Sequence, residues 1–313
     1  MKLRLVLRAA IGAAILLASS AAFAGEMQSL QVGSATREYY LHQPATGLDE
    51  PGKRPLVIVL HGAGGWGRQA VRRYNWEDKA EQAHFIVAGP DAWRLRPDQP
   101  ANFQTNPRFW NDAGRRGSGG MLTTDDVAFI SSLIDSLIAE HGVDRSRVYV
   151  TGFSSGAGMT QRAAVELAGK IAAAAPVSGI VAPTSDTPSR PVPFLYISGN
   201  ADPLNPVAGG EVELMLWGVR YPKTSHQAIL TRWRALDGCS EREAQETPGA
   251  GVAVRIWPSC ASGSEVRYVL VQAHGHHWPG EKGMGLPEAM VGPRSRAFDA
   301  TEAIWQFLSR FHL

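Results

Sequence analysis

The feature that most constrains the fold is a series of short, apolar, β-branched runs separated by helix-like or polar segments. The runs that read as strands cover residues 37–42, 56–60, 85–88, 148–151, 171–177, 194–198 and 266–272. Continuous apolar runs of this length are typical of strands that are buried on both faces. Helical patterns lie between several of them, so we predict an α/β fold with a mostly parallel, doubly wound sheet.

Three segments of the chain have the pattern of helices. In the first, Thr124 is the expected N-cap and is followed by two aspartates in the first turn, where acids are favoured. An apolar face then continues until Gly142, which should end the helix. The other two segments cover residues 156–168 and 297–311. Because we find no repeat and no linker, we expect one domain over residues 25–313.

The first 24 residues, 1–24, have the composition of a secretory signal peptide. Three basic side chains precede an apolar run, and the small-residue sequence Ala22-Phe23-Ala24 follows it. This order predicts cleavage after Ala24. The alternative is an uncleaved membrane anchor, although the apolar run is short for a bilayer. We therefore expect a secreted or periplasmic protein.

Without that segment the charge of the chain is nearly balanced. The whole sequence has 31 basic and 29 acidic side chains, and the segment holds three basic and no acidic ones. The mature chain therefore has 28 basic against 29 acidic side chains. This balance does not favour nucleic acid or an anionic membrane, and we expect neither as a partner.

The two cysteines, Cys239 and Cys260, both lie in the part of the chain that would be exported. An oxidising compartment favours a disulfide between them, which would staple an irregular segment between Trp233 and Val266. Two free buried thiols, or a nucleophilic cysteine, are the alternatives.

Residues 148–158 read VYVTGFSSGAG, in which a predicted strand runs through Gly152-Phe153-Ser154-Ser155-Gly156 into a predicted helix. This G-x-S-x-G pattern, in this strand–turn–helix context, places a nucleophilic serine on a sharp turn. Glycines are needed there because the backbone is strained and neighbouring segments leave no room for side chains. The pattern predicts Ser154 as a nucleophile, and a loop of small residues is the alternative.

Acyl transfer also needs N–H donors for the oxyanion that forms in the transition state. Ser155 lies where the chain enters the predicted helix, so we expect its backbone N–H, rather than its hydroxyl, to donate to the oxyanion. The second donor should come from the loop after an earlier strand. HGAGG directly follows residues 56–60, and within it we assign Ala63. We expect His61 to bridge loops rather than to act as a base.

The acid and the base should follow the nucleophile in chain order, with the histidine last. Asp202 comes just past the predicted strand 194–198 and is favoured over Asp186, which has no preceding strand. The candidates for the base, all in one loop, are His274, His276 and His277. Histidines at this spacing can also bind metal, but no acidic or thiol ligand is near, so we expect no metal and no cofactor.

Taken together, the motifs resemble those of a known family. LVIVLHGAGG, FWNDAG, DDVAFISSLID, VDRSRVYVTGFSSGAGM, ISGNADPLNPV and HGHHWPG occur in this order within residues 56–280. The chain resembles secreted α/β-hydrolase esterases of the polyhydroxybutyrate depolymerase and feruloyl esterase (LpqC-like) type. The resemblance implies an eight-stranded α/β-hydrolase sheet and a Ser–His–Asp triad. The last motif of that family has its catalytic histidine two residues before a tryptophan, which implies His276 as the base.

The resemblance also implies a substrate class. We expect ester hydrolysis through an acyl-enzyme, on feruloyl or acetyl esters of polysaccharides or on hydroxyalkanoate polyester. Trp110 and Trp278 are candidates for substrate binding, as is Trp66, although each is also a plausible packing residue. A serine peptidase on the same fold and a non-catalytic binding protein on a hydrolase scaffold are the alternatives.

Overall fold

The computed structural model describes residues 25–46, 53–112, 124–179, 186–214, 218–283 and 285–313. The predicted signal peptide lies outside these ranges. The strands of the described residues are β1 Glu26–Val32, β2 Ala35–His42, β3 Arg54–Leu60, β4 Ile86–Pro90, β5 Trp93–Arg94, β6 Arg108–Phe109, β7 Val143–Phe153, β8 Ala173–Val177, β9 Phe194–Gly199, β10 Gly210–Leu214, β11 Val219–Lys223, β12 Ala244–Gly249, β13 Val252–Trp257 and β14 Val266–Val271. The helices are α1 Gly67–Arg73, α2 Trp76–Ala83, α3 Asp126–His141, α4 Ser155–Glu166, α5 His226–Leu236, α6 Glu288–Val291 and α7 Ala300–Leu308.

A ten-stranded sheet forms the centre of the described chain, in the order β1-β2-β4-β3-β7-β8-β9-β14-β13-β12. The neighbouring strands from β4 to β14 run parallel to one another. Antiparallel pairs flank them at both edges. The mostly parallel sheet predicted from the apolar runs is therefore confirmed.

Alternate residues of the central strands enter two different cores. Along β3, Leu56, Ile58 and Leu60 pack in a core with α3, α4 and α5. Val57 and Val59 pack in a second core with α1, α2 and α7 on the other face of the sheet. All five side chains are fully buried. Burial on both faces explains the continuous apolar runs, and it confirms the doubly wound arrangement.

The expectation of eight strands was wrong, because the hairpin β12–β13 extends the sheet beyond β14. This hairpin lies in the segment that we expected to be irregular. Its outer strand is polar and largely exposed, so it carries little of the apolar signal that marks the central strands. The predicted disulfide between Cys239 and Cys260 is present, and it joins the chain on either side of the hairpin.

The start of α3 differs from the prediction by one residue. Asp125, rather than Thr124, caps the helix, because its carboxylate accepts a hydrogen bond from the Ala128 N–H at 2.8 Å. The helix ends at Gly142, as predicted, where φ is 63°. A glycine tolerates this left-handed conformation without steric cost.

The parallel strands all end at one edge of the sheet, and the loops with the predicted site residues follow there. β3 leads into the HGAGG loop, β7 into Ser154, β9 into the Asp202 loop and β14 into the loop with three histidines. In doubly wound α/β folds, ligands bind at the carboxyl edge of the sheet.

Candidate active site

Ser154 lies between β7 and α4 with a strained backbone. Its φ is 55° and its ψ is −115°, a combination that residues with a side chain rarely adopt. The turn is held on one side by a 3.0 Å hydrogen bond from the Ser154 N–H to the Val177 carbonyl. This is the sharp strand-to-helix turn that the G-x-S-x-G pattern predicts.

The flanking glycines have no room for a side chain. A Cβ at Gly152 would lie 2.5 Å from the Gly156 carbonyl oxygen, and one at Gly156 would lie 2.2 Å from that of Leu60. A Cβ at Gly179 would lie 2.0 Å from the Ser154 carbonyl oxygen. Since real Cβ atoms do not approach this closely, the turn requires glycine on both sides of the serine.

His276 lies between the serine and an aspartate. Its Nε2 is 2.8 Å from Ser154 Oγ, and its Nδ1 is 2.8 Å from Asp202 Oδ2. A carboxylate can only accept hydrogen bonds, so Nδ1 carries the proton and Nε2 accepts from the serine hydroxyl. The three side chains thus form one continuous series of hydrogen bonds, although Ser154 and His276 are 122 positions apart in the sequence.

Asp202 is buried and fixed by its own loop. Its Oδ1 accepts from the N–H groups of Leu204 at 2.8 Å and Asn205 at 2.9 Å. Oδ2 is left for His276, and the carboxylate is completely shielded from solvent. Asp186, the other candidate from the sequence, is exposed, and the partners of His276 are Asp202 and Ser154 instead.

The two histidines on either side of His276 have other partners. His274 Nδ1 accepts from the Ser295 N–H at 3.1 Å, and its burial lowers the pKa of its imidazole. His277 Nδ1 lies 3.3 Å from Glu281 Oε1, and its Nε2 lies 3.0 Å from the Gly292 carbonyl oxygen. Of the three candidates, the structure brings only His276 to Ser154.

The HGAGG loop passes directly beside the serine. A Cβ at Gly62 would lie 3.5 Å from Ser154 Cβ. The N–H of Gly64 donates to the Arg108 carbonyl, whereas that of Ala63 donates to no backbone carbonyl of the described residues. Ser155 is the first residue of α4, where N–H groups have no partner within the helix. Both N–H groups predicted as oxyanion donors therefore belong to segments beside the serine.

His61 connects three loops around this site. It lies 2.7 Å from the Gly62 carbonyl through Nδ1, and its Nε2 accepts from the Ala92 N–H at 3.0 Å. Its backbone carbonyl accepts from the Trp110 indole at 2.9 Å. Complete burial lowers the pKa of His61 to about 3, which keeps the ring neutral at ordinary pH. Through these contacts His61 links the HGAGG loop to the segments that contain Ala92 and Trp110.

Trp110 and Trp278 lie inside the protein rather than at the surface, where a substrate could contact them. Both indoles are completely buried. The Trp110 N–H donates to the His61 carbonyl, and the Trp278 N–H donates to Thr301 Oγ1 at 3.0 Å. Trp278 is also stacked on Tyr74. Since both polar edges are satisfied inside the protein, the substrate-binding role expected for these rings does not fit the structure.

An open cleft of about 360 Å³ contains His276 and the HGAGG loop. Three large apolar side chains on its lining are substantially exposed: Trp66, Phe103 and Leu286. Phe153 and Tyr74 line it as well. Sequence reasoning missed Phe103 and Leu286, because exposed apolar side chains in loops follow no period that marks them.

Metal binding finds no support within the described ranges, where no group of three or more histidine, cysteine, aspartate or glutamate side chains could hold an ion. In the same part of the chain, no helix combines the length and the apolar character needed to cross a bilayer.

The central sheet and its flanking helices form an α/β-hydrolase fold. The sequence pattern of the phospholipase/carboxylesterase family matches residues 48–214. The protein NocK of Nocardia uniformis subsp. tsuyamanensis, which is named as an esterase, is 30% identical over 88% of this chain and 80% of its own length. The chain belongs to this family, and it is a serine esterase.

Two other relatives have more specific names. Feruloyl esterase B of Piromyces equi is 31% identical over 49% of this chain and 29% of its own length. Poly(3-hydroxyalkanoate) depolymerase C of Paucimonas lemoignei is 33% identical over 41% of this chain and 28% of its own. The chain thus spans less than a third of these two proteins. They bear out the resemblance found in the sequence.

Among solved structures, the acetyl xylan esterase from Aspergillus awamori is similar in fold. The two align with a TM-score of 0.58 over 91% of this chain and 99% of that one, with 16% sequence identity. At this identity the likeness concerns the fold alone, and it confirms the α/β-hydrolase architecture.

Proposed function

We propose that residues 25–313 form a catalytic domain that hydrolyses carboxylic esters with Ser154 as nucleophile, His276 as base and Asp202 as orienting acid. The observation that carries this proposal is the unbroken chain of two 2.8 Å contacts from Asp202 through His276 to Ser154. It ends on a serine whose strained turn brings the hydroxyl to His276, which lines the cleft.

The reaction begins when Ser154 Oγ attacks the ester carbonyl and His276 Nε2 takes the hydroxyl proton. Asp202 keeps the proton of the neutral ring on Nδ1 and stabilises the imidazolium that forms. His276 then donates its new proton to the leaving alcohol, which gives an acyl-enzyme. A water molecule, deprotonated by the same nitrogen, then attacks the acyl carbon. The bond from this carbon to Ser154 Oγ breaks, His276 returns the proton to Oγ, and the carboxylic acid is released.

The negative charge on the carbonyl oxygen is stabilised by the N–H groups of Ala63 and Ser155. Each such donor contributes roughly 3 kcal/mol to transition-state stabilisation in serine hydrolases. The Ser155 N–H lies at the start of α4, where the helix dipole adds partial positive charge. No cofactor takes part in these steps.

For the substrate, we propose feruloyl or acetyl esters of polysaccharides, or hydroxyalkanoate polyester. The names of the two relatives described above support feruloyl esters and hydroxyalkanoate polyester. The exposed side chains of Trp66, Phe103 and Leu286 at the cleft support an ester with a large apolar part. The apolar groups of the substrate would cover surface that is otherwise in water.

We also propose that the protein is exported, with residues 1–24 removed as a signal peptide. The disulfide between Cys239 and Cys260 supports this location, because disulfides persist in oxidising compartments.

The direct test is hydrolysis of methyl ferulate, hydroxybutyrate oligomers and acetylated xylan by the wild type and Ser154→Ala. We expect kcat to fall at least ~10³-fold on every true substrate, because the nucleophile is removed. Ser155→Ala is the matched control: its hydroxyl is buried and lacks a partner among the described residues, so activity should stay near that of the wild type. Cleavage of peptide anilides in place of esters would point to a peptidase.

A further inference from the structure

Catalysis of this kind requires the base and the oxyanion donors to keep a fixed geometry, yet the two lie on loops that are distant in sequence. Ala63 is in the loop before α1, and His276 is in the loop after β14. A displacement of about 1 Å between such groups can lower a rate about 100-fold. The contacts between these two loops are therefore of functional interest.

The segment just after the histidine loop is attached to the corner between α1 and α2. The Lys282 N–H donates to the Arg73 carbonyl at 2.8 Å. The Asn75 side-chain amide donates to the Gly280 carbonyl, also at 2.8 Å. At the surface, Lys282 forms an ion pair with Asp78. Residues 280–282 are thus held on three sides by the helices that follow the HGAGG loop.

The carboxylate of Glu281 lies at the centre of this attachment and is 5% exposed. Arg73 binds both of its oxygens, with Nε 2.9 Å from Oε2 and Nη2 2.8 Å from Oε1. Arg294 Nη2 lies 3.0 Å from Oε1. Burial alone would raise the pKa of Glu281. Hydrogen bonds from His277 and Arg73, with the charges of both arginines, instead hold this pKa below its usual value.

Glu281 contacts the neighbour of the base as well as the helix. Its Oε1 lies 3.3 Å from His277 Nδ1. Arg73 is the last residue of α1, which begins two residues after Gly65 of the HGAGG loop. A continuous series of contacts therefore connects this loop through α1, Arg73, Glu281 and His277 to His276.

We propose that Glu281 is a positioning residue. Its carboxylate, bound between Arg73 and His277, holds the base His276 at a fixed position relative to the Ala63 N–H. This inference rests on the catalytic roles proposed above for Ser154, His276 and Ala63. It assigns Glu281 no proton transfer and no contact with the reacting atoms.

The test compares Glu281→Gln with a matched control, Glu265→Gln. Glu265 is also a buried carboxylate with two arginine partners, Arg267 at 2.9 Å and Arg310 at 3.1 Å, and is 10% exposed. It lies just before β14, whereas Glu281 lies beyond the other end of that strand. The two variants therefore remove the same charge from similar surroundings at opposite edges of the sheet.

For p-nitrophenyl acetate, we expect Glu281→Gln to lower kcat about 10- to 100-fold and to change KM less than about twofold. The downfield proton resonance of His276 Nδ1, which reports its bond to Asp202, should broaden or shift. Glu265→Gln should lower the unfolding temperature without changing kcat or the resonance. Equal kcat losses in both variants, or unchanged kcat in Glu281→Gln, would overturn the proposal.

Because breaking a buried ion pair is strongly destabilising, Glu281→Gln is paired with the double variant Arg73→Gln/Glu281→Gln. Removing both charges of the pair should recover part of the lost unfolding temperature. The proposal expects kcat to stay low despite this recovery. If kcat returns together with the unfolding temperature, Glu281 acts only on stability.

Failure of this inference is separable from failure of the proposed function. If wild type and Ser154→Ala hydrolyse the ester equally, the triad is wrong. If Ser154→Ala is inactive while Glu281→Gln has wild-type kcat, the triad stands and the positioning role is wrong.

Discussion

The backbone of Ser154 shows what a single residue demands of its surroundings. A residue with a side chain at φ 55° and ψ −115° stores about 1–3 kcal/mol of strain, which persists only if neighbours impose it. The neighbours that impose it here are closely packed backbone segments of β3, β8 and α4. The position of the proposed nucleophile therefore depends on backbone segments of three other elements.

Gly156→Ala tests this dependence. Its Cβ would lie 2.2 Å from the Leu60 carbonyl oxygen, so β3 and α4 must separate. We expect a loss of at least about 2 kcal/mol in the free energy of unfolding, measured with urea, together with a loss of esterase activity. Gly169→Ala is the control, because nothing lies within 4 Å of its added Cβ. Equal stability of the two variants would contradict the close packing.

His61 gives a prediction about acid stability. Burial lowers its pKa in the folded protein from 6.5 to about 3. Between these values the unfolded chain binds a proton that the folded protein excludes, so stability is lost as the pH falls from about 6.5 towards 3. We expect His61→Gln, which does not titrate, to show a weaker loss of unfolding free energy in urea titrations at pH ~7 and ~4. If the unfolding free energy of His61→Gln depends on pH as that of the wild type does, the low pKa of His61 is contradicted.

Among the site residues, the sequence allowed predictions wherever chemistry and chain order coincide. Ser154 follows from G-x-S-x-G, and Asp202 from its place after a strand. Three histidines share one loop, however, and only the family resemblance distinguished them. The burial of Trp110 and Trp278 could not be predicted, because the sequence of a loop does not indicate whether a tryptophan ring faces the core or the solvent.

At the scale of elements, the hairpin β12–β13 extends the sheet away from the site. The disulfide between Cys239 and Cys260 closes the chain around it and joins two positions that are 21 apart in the sequence. Its main effect should be on the unfolded chain, whose entropy it reduces.

The double variant Cys239→Ser/Cys260→Ser should therefore lose about 3 kcal/mol of unfolding stability. Its kcat on a soluble ester should stay within about twofold of wild type below the unfolding transition, because a disulfide acts mainly on the unfolded chain. Calorimetry and initial rates at a fixed low temperature measure both. A large fall in kcat with unchanged stability would contradict a purely structural role.

The elements also show which parts of a fold the sequence reveals. Strands buried on both faces, such as β3 and β9, were predicted closely because burial requires continuous apolar residues. The strand β12 was missed, because an exposed edge strand can be polar. The contact between Arg73 and Glu281 joins residues 208 positions apart, and no local pattern records such a pair.

At the scale of the whole molecule, three of the seven large apolar side chains that are exposed in the described chain line the cleft. Trp66, Phe103 and Leu286 come from three separate segments but line the same opening. Large apolar side chains that stay partly exposed around one opening are typical of binding surfaces.

We expect the double variant Trp66→Ala/Phe103→Ala to raise KM at least about fivefold for esters with a large apolar acyl group, through loss of roughly 1 kcal/mol of burial. Rates on p-nitrophenyl acetate should change little, because a small acyl group does not reach the exposed side chains of Trp66 and Phe103. Met27→Ala is the control, since Met27 is exposed on the edge strand β1. Equal effects of the double variant on both substrates would argue against binding of the acyl group by Trp66 and Phe103.

Export is also a property of the whole chain. If residues 1–24 direct secretion, protein recovered from the periplasm or medium should begin at Gly25. N-terminal sequencing checks this directly. An exported protein that keeps residues 1–24 would show that the segment is an anchor.

The convergence of Ser154, His276 and Asp202 is tested most directly by reaction with a fluorophosphonate, followed by peptide mapping of the adduct. We predict one phosphonyl group on Ser154, none on Ser155, and labelling at least ~10³-fold slower in His276→Ala. A label on another residue, or equal labelling rates with and without the imidazole of His276, would contradict the proposed triad.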